Sequence, residues 1–350
     1  MVAATAVGRS PRGPRVATAS ALGNRVETTL EDMSRAERVA QLFAVPLAGT
    51  SLSAEEGAWL RTTKPGGVLL VGSNIGSSDE AEAFIADIRA TNPRLPPLVS
   101  IDQEGGIVSR LPGDPAPSAP ELGLLAPAEI ARFARERADF LADWGVSANF
   151  APVADVAWDP SSFMVGRAFG SDPAGVAEAV ASYVEGAIGT GVAHAAKHFP
   201  GHGRGTTDSH LALPTVDLSL EVWRETDGLP FAAAVGAGVE MVMLGHLLYP
   251  AWDALPTSLS PFAVDVLRQD LAFDGVVVTD DLGMAALSDF GPYETVDLAV
   301  AAGVDLLLYA TPQVEPAALV EHLVRRVETG AVSRERIDES ARRVLRLKLG

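Results

Sequence analysis

The sequence contains no cysteine. That excludes disulfides, thiolate metal sites and a cysteine nucleophile. Positive charge is scarce as well: 27 Lys and Arg stand against 45 Asp and Glu, a formal net charge of −18. So acidic a chain repels nucleic-acid phosphates and anionic lipid headgroups, which sets nucleic acid aside as a partner. No stretch reaches the roughly 18 uninterrupted apolar residues of a membrane-spanning helix, so no membrane partner is expected. Arg9, Arg12, Arg15 and Arg25 lie among small residues near the start. A secretory leader needs an apolar core of about 7–15 residues after its basic start, and Ala17 to Gly23 is too short and too polar for one. With no cysteine for a lipid anchor either, residues 1–26 read as a disordered tail, residues 27–350 as one catalytic domain, and the compartment as the cytoplasm.

What is present is a chain of 350 residues, 47% hydrophobic and 21% charged. That length suits one large α/β barrel and buries a sizeable core. After residue 26 no low-complexity linker divides the chain. A short apolar run, a loop and a helical pattern recur instead, as in parallel strands with helical crossovers. Eight strands are predicted: Gln41–Pro46, Gly67–Val71, Pro97–Asp102, Ser147–Val153, His194–His198, Met241–His246, Val276–Asp280 and Asp305–Tyr309. Most are continuously apolar, as strands covered on both faces must be. Between them, helices are marked over Asp79–Thr91, after Asp172-Pro173 and after Ser260-Pro261. A last one spans Ser333–Leu347, with Ile337, Ala341, Val344 and Leu345 on one face. The count favours a closed (β/α)8 barrel over an open doubly wound sheet. The polar residues agree: Asp102, Asp155, Lys197 with His198, His246 and Asp280 all end or follow strands, and in a barrel such positions meet at one rim.

Two segments at that rim carry chemistry. Lys197–His210, KHFPGHGRGTTDSH, holds three of the six histidines, and its proline and glycines exclude a helix. It reads as a plain surface loop, as a metal site through His198 and His202, or as an acid–base device. The metal reading suffers because residues four apart face the same way only on a helix. In the acid–base reading Asp208 accepts the Nδ1–H of His210, and His210 gives and takes a proton. The second segment is Val276–Met284, VVVTDDLGM. Successive strand side chains alternate, so Asp280 points to the rim and Asp281 elsewhere, where it caps a helix expected near Gly283. Asp280 is then the better candidate for a carboxylate nucleophile, which would attack an acetal carbon and form a covalent glycosyl intermediate; the alternative is a structural rim carboxylate.

These motifs resemble glycoside hydrolase family 3, in its bacterial β-N-acetylhexosaminidase branch, from about Leu30 to Gly350. The likeness rests on the complete Lys197–His210 motif, on IDQEGGIVSR at Ile101–Arg110 and on VVVTDD. It implies a retaining mechanism without metal or other cofactor, with Asp280 as nucleophile and His210, paired with Asp208, as general acid/base. It further implies that Asp102, Arg110, Arg167, Lys197 and His198 hold the sugar hydroxyls, and that His246 and Met284 line the pocket. The substrate implied is a small molecule or oligosaccharide with terminal β-linked GlcNAc, such as a muropeptide of cell-wall recycling or chitobiose. The family's β-glucosidase branch lacks the Asp-Ser-His loop and takes its acid/base from a second domain. This chain stops just after the last barrel helix, so the loop is the expected source. Two positions depart from the family pattern: Asp270 stands where Glu, Gln or Lys is usual, and Val165 where glycine is usual, beside Arg167. Phosphate in place of water as acceptor, with Arg204 as its anion contact, is one alternative; a catalytically silent sugar-binding protein is another.

Overall fold

The computed structural model describes the backbone of residues 15–350 except Thr206, and side chains from Ala21 onward. Eight strands form one parallel sheet: β1 Phe43–Pro46, β2 Gly67–Leu70, β3 Leu98–Ile101, β4 Ala148–Asn149, β5 Ala193–Phe199, β6 Met241–Leu244, β7 Val276–Thr279 and β8 Leu307–Leu308. Their order is β7-β6-β5-β4-β3-β2-β1-β8. A parallel bridge between Val278 and Leu306 joins the two outer members and rounds the sheet into a barrel. The predicted (β/α)8 architecture is thus the observed one.

Each strand falls on its predicted segment, but seven are shorter than expected and β5 is longer. β4, with β8 one of the two shortest, stops at Asn149. There the Asn149 side chain takes over, accepting from Gln103 N–H at 3.0 Å and donating to its carbonyl at 3.1 Å. Three residues on, Pro152 has no N–H to continue a ladder. The pairing of β5 with β6 also shifts register between Ala196 and Phe199.

Strand alternation sorts the core into two layers. Ala44, Leu69, Leu98, Phe150, Ala195, Met243, Val276, Val278 and Leu308 fill the lumen. Val45, Val68, Leu70, Val99, Val242 and Val277 face the helices. This phase positions the site. Asp280 continues the inward series Val276, Val278; Lys197 continues Ala193, Ala195; Asp102 follows Leu98 and Ser100. At the opposite end, Val344 of the helix Arg334–Leu349 packs with the lumen cluster and plugs the barrel.

The helix starts follow the sequence signals. Ser77 accepts from Glu80 N–H in a reciprocal capping box before Ser78–Ala90, Asp172 caps Pro173–Ala187, Ser260 caps Pro261–Asp265 and Ser333 caps Arg334–Leu349. One reading is corrected: residues 15–26 are not a loose tail but most of a helix, Arg15–Asp32. Leu22, Val26, Leu30 and Met33 recur at helical spacing. Val26 and Leu30 are buried in the main core, the helix packs on Arg334–Leu349, and Glu27 meets Arg342 at 2.9 Å. The rest of the expected tail, residues 1–14, lies outside the described residues. Among the described residues no helix is long and apolar enough to cross a membrane.

Candidate active site

The C-terminal rim gathers a chain of alternating charges from β3, β4, β5 and β7. Lys197, on β5 and only 2% exposed, places its ammonium 2.6 Å from Asp102 and 2.7 Å from Glu104. Glu104 is equally buried and takes a two-point grip from Arg167, at 2.7 and 2.9 Å. Burial alone pushes the Glu104 carboxyl up; Lys197 and Arg167 outweigh it and hold its pKa at about 2. Burial likewise disfavours the Lys197 charge, but Asp102 and Glu104 raise its pKa overall.

Arg167 also reaches His198 Nε2, at 3.3 Å. A guanidinium cannot accept, so in this contact Nε2 is the acceptor. The ring Nδ1–H donates to the fully buried Asp155 at 2.7 Å. Asp155 also accepts the backbone N–H groups of His198, at 3.2 Å, and His202, at 2.6 Å. His202 turns Nε2 toward Ser209 Oγ, so the two rings address different partners and do not converge.

Arg110 is held by its backbone, which donates to Gln103 Oε1 at 2.8 Å. Gln103 is fixed by Asp114, and Asp114 by the buried Arg137. Gly105 is required here: at φ +89° an added Cβ would lie 2.3 Å from Arg137 Nη2. The Nε of Arg110 is buried with no hydrogen-bond partner among the described residues.

Asp280 follows β7. Its Oδ1 accepts from Asp281 N–H at 2.8 Å, the one hydrogen bond its carboxylate makes among the described residues. Burial pushes this carboxyl up; His198 and His246, the Asp281 amide and Lys197 outweigh it, and the pKa sits at about 2. Asp281 points away, as alternation requires, but it opens no helix. It accepts from Gly283, Ala310 and Thr311 N–H and from the Thr311 hydroxyl, and so ties the loops after β7 and β8 together. His246 is fully enclosed, with Nδ1 on Ser258 Oγ at 2.7 Å and Nε2 on the Asp281 carbonyl at 2.8 Å. It braces the Asp280 loop and offers no free polar atom to a pocket. Met284 is buried at the start of the turn Ala285–Leu287.

The loop pair is formed as expected. His210 Nδ1 lies 2.7 Å from Asp208 Oδ1, and the imidazole is 66% exposed, facing open space. The Ser209 carbonyl accepts Ala286 N–H at 3.2 Å, which lays the loop against the segment that follows Asp280. The two departures from the family pattern are accommodated. Asp270 pairs with Arg224 away from the rim. Val165 is 43% exposed, and Arg167 still reaches Glu104. Arg204 is not open to an anion: it bonds Asp227 at 2.7 Å and stacks over Trp158 at 4.0 Å.

Sequence reasoning placed Asp155 on the rim without assigning it to the site, weighed His202 only as a metal ligand, and missed Glu104 and Ser209. Glu104 had a readable signal: an acid between the rim residue Asp102 and a Gly-Gly turn, opposite a segment rich in cations.

Residues 35–347 match the family model described as glycosyl hydrolase family 3 N terminal domain. The β-hexosaminidase LpqI of Mycobacterium tuberculosis is 37% identical over 335 residues, covering 90% of this chain and 83% of that one. A β-hexosaminidase of Stenotrophomonas maltophilia is 35% identical over 302 residues, 83% of this chain and 90% of its own. Among solved structures, a family 3 β-N-acetylglucosaminidase from Paenibacillus superposes with a TM-score of 0.86 at 34% identity. The match covers 90% of this chain and 62% of that longer one. M. tuberculosis LpqI itself superposes with a TM-score of 0.83 at 35% identity, over 92% and 96% of the two chains. A barrel rim of this build, matched over most of its length by β-hexosaminidases, makes the chain a glycosidase, and it belongs to glycosyl hydrolase family 3.

Proposed function

We propose that the protein is a retaining exo-β-N-acetylglucosaminidase. Asp280 attacks the anomeric carbon, and His210 protonates the leaving oxygen as the glycosyl–Asp280 ester forms. His210 then deprotonates a water that releases the sugar. Asp208 holds the His210 tautomer and supports its imidazolium. The carrying observation is the contrast between the two acids: Asp280 is half-buried at the end of β7 and held ionised at a pKa of about 2, while the proton-transfer pair stands exposed on its own loop. A neutral histidine does not repel a charged nucleophile as a second carboxylate would. Asp102, Lys197, His198, Arg110 and Arg167 surround the place for the sugar hydroxyls, with Lys197 and Arg110 the better-placed donors. The engagement of Arg204 with Asp227 favours water over phosphate as acceptor.

As part of the same reading, the natural substrates are GlcNAc-terminated muropeptides of cell-wall recycling in the cytoplasm. The catalytic proposal is tested with an aryl β-N-acetylglucosaminide and with a 5-fluoro analogue carrying a good leaving group. The expected results are β-configured GlcNAc as first product and a mass increase on the peptide containing Asp280. An α-configured first product, or labelling elsewhere, overturns it.

A further inference from the structure

The tripeptide Asp208-Ser209-His210 is open at both ends and buried in the middle. The side chains of Asp208 and His210 are 35% and 66% exposed, whereas Ser209 is 2% exposed. A proton donor must come within about 2.6–3.2 Å of its target, so an imidazole this exposed needs a fixed backbone. Among the described residues, Ser209 carries both ties from the tripeptide to other parts of the barrel: Oγ to His202 Nε2 at 3.0 Å, and the carbonyl to Ala286 N–H at 3.2 Å.

His202 is itself clamped. It is 1% exposed, donates its N–H to Asp155 at 2.6 Å and meets the Phe163 ring edge-on at 4.8 Å. Beside it, a Cβ on Gly203 would lie 1.8 Å from the Val156 carbonyl oxygen, so only glycine lets the loop press this close to the barrel. Burial, and after it His198, lower the His202 pKa, so its ring stays neutral. Asp155 holds His198 at the same time. One buried carboxylate therefore anchors both the histidine beside the sugar site and the histidine that grips the loop.

We infer that Ser209, gripped by His202, is the positioning residue that keeps the Asp208–His210 pair in reach of the leaving oxygen. The inference rests on the acid/base reading of His210, and the test separates the two. It compares kcat/KM for a dinitrophenyl β-N-acetylglucosaminide, whose aglycone departs without a proton, with that for a poor aryl leaving group. His210→Ala is expected to lose roughly 10²–10⁴-fold on the poor leaving group and little on the dinitrophenyl substrate. Ser209→Ala should follow the same pattern more weakly, about 10-fold against less than about 2-fold, as suits one lost hydrogen bond. His202→Phe should resemble Ser209→Ala. His202→Gln, whose amide reaches the Nε2 position, should recover most of the loss. Added azide should speed release of the glycosyl intermediate in the His210 and Ser209 variants alike. Equal losses on both substrates in Ser209→Ala, with a graded loss in His210→Ala, overturn the positioning role alone. An ungraded loss in His210→Ala overturns the acid/base reading beneath it. Should Ser209→Ala fail to fold, the His202 pair decides: equal behaviour of Gln and Phe sinks the inference.

Discussion

Two buried ionic clusters sit at opposite ends of the barrel, and they differ in how completely they are satisfied. At the base, Asp305 is wholly buried and accepts from Arg268, Arg336 and Arg343, from the Ser340 hydroxyl and from Val277 N–H, at 2.6–3.2 Å. At the rim, among the described residues, Asp280 has a single backbone donor and the Arg110 Nε has no partner. Both clusters hold charge in a poor solvent for it, which is costly unless compensated. The base is compensated from within and binds strands to helices. The rim leaves donors and an acceptor open, and an incomplete set of partners marks a place for a ligand.

Four experiments would break or sharpen that contrast. Asp280→Ala should lower turnover of an aryl N-acetylglucosaminide by roughly 10³-fold or more, with a melting temperature close to the parent's. A large fall in melting temperature would make Asp280 structural. Asp305→Asn should do the reverse. Breaking a buried pair costs about 3–5 kcal/mol, so the melting temperature drops while kcat/KM per folded molecule holds.

Glu104→Gln lies between the two, since Glu104 pairs Lys197 with Arg167. KM should rise about 10-fold, with a smaller change in kcat, as the two cations lose their shared anchor. The same residue bears on acid stability. Its pKa is about 2 in the fold against the ordinary 4.5, so its contribution is complete above pH 4.5 and is lost as pH falls toward 2. Thermal melts across that range should be shallower in pH for the Gln variant, and parallel curves would contradict the assignment. The smallest effect belongs to Arg204→Met, which keeps contact with Trp158 and leaves Asp227 its bond to Trp158 Nε1. Its rate per folded molecule should change by less than about 2-fold, while the melting temperature falls because the buried Asp227 loses its cation. GlcNAc-1-phosphate formed by the parent in phosphate buffer, and lost in this variant, would restore Arg204 as an anion contact.

Much of this contrast is legible in the sequence, and the illegible part has physical causes. The eight apolar runs reveal the strands because both faces are covered. Their ends are not readable, because Asn149 and the register shift after Ala196 stop the ladders through neighbours distant in sequence. Alternation along Val276–Asp281 separates the inward aspartate from the outward one. It cannot say that the outward one ties two loops rather than capping a helix, since Ala310 and Thr311 lie on the next strand's far side. The helix Arg15–Asp32 escapes notice because its small residues look like a tail until the helix Arg334–Leu349 lies beside them. Asp155 and Glu104 are hidden for a related reason: a buried carboxylate is recognised by the cations and amides around it, and those come from other strands.

The pairing of Phe43 with Leu307 makes the first strand wait for the last. During synthesis the ring stays open until β8 has left the ribosome. The segment bearing Asp280 is tied down by Ala310 and Thr311, just beyond β8. A nascent chain halted before that point therefore carries every rim residue from Asp102 to Asp280 and still lacks the amides that hold Asp281, the neighbour of Asp280, in place. Competence in this barrel arrives late and all at once, with its final strand.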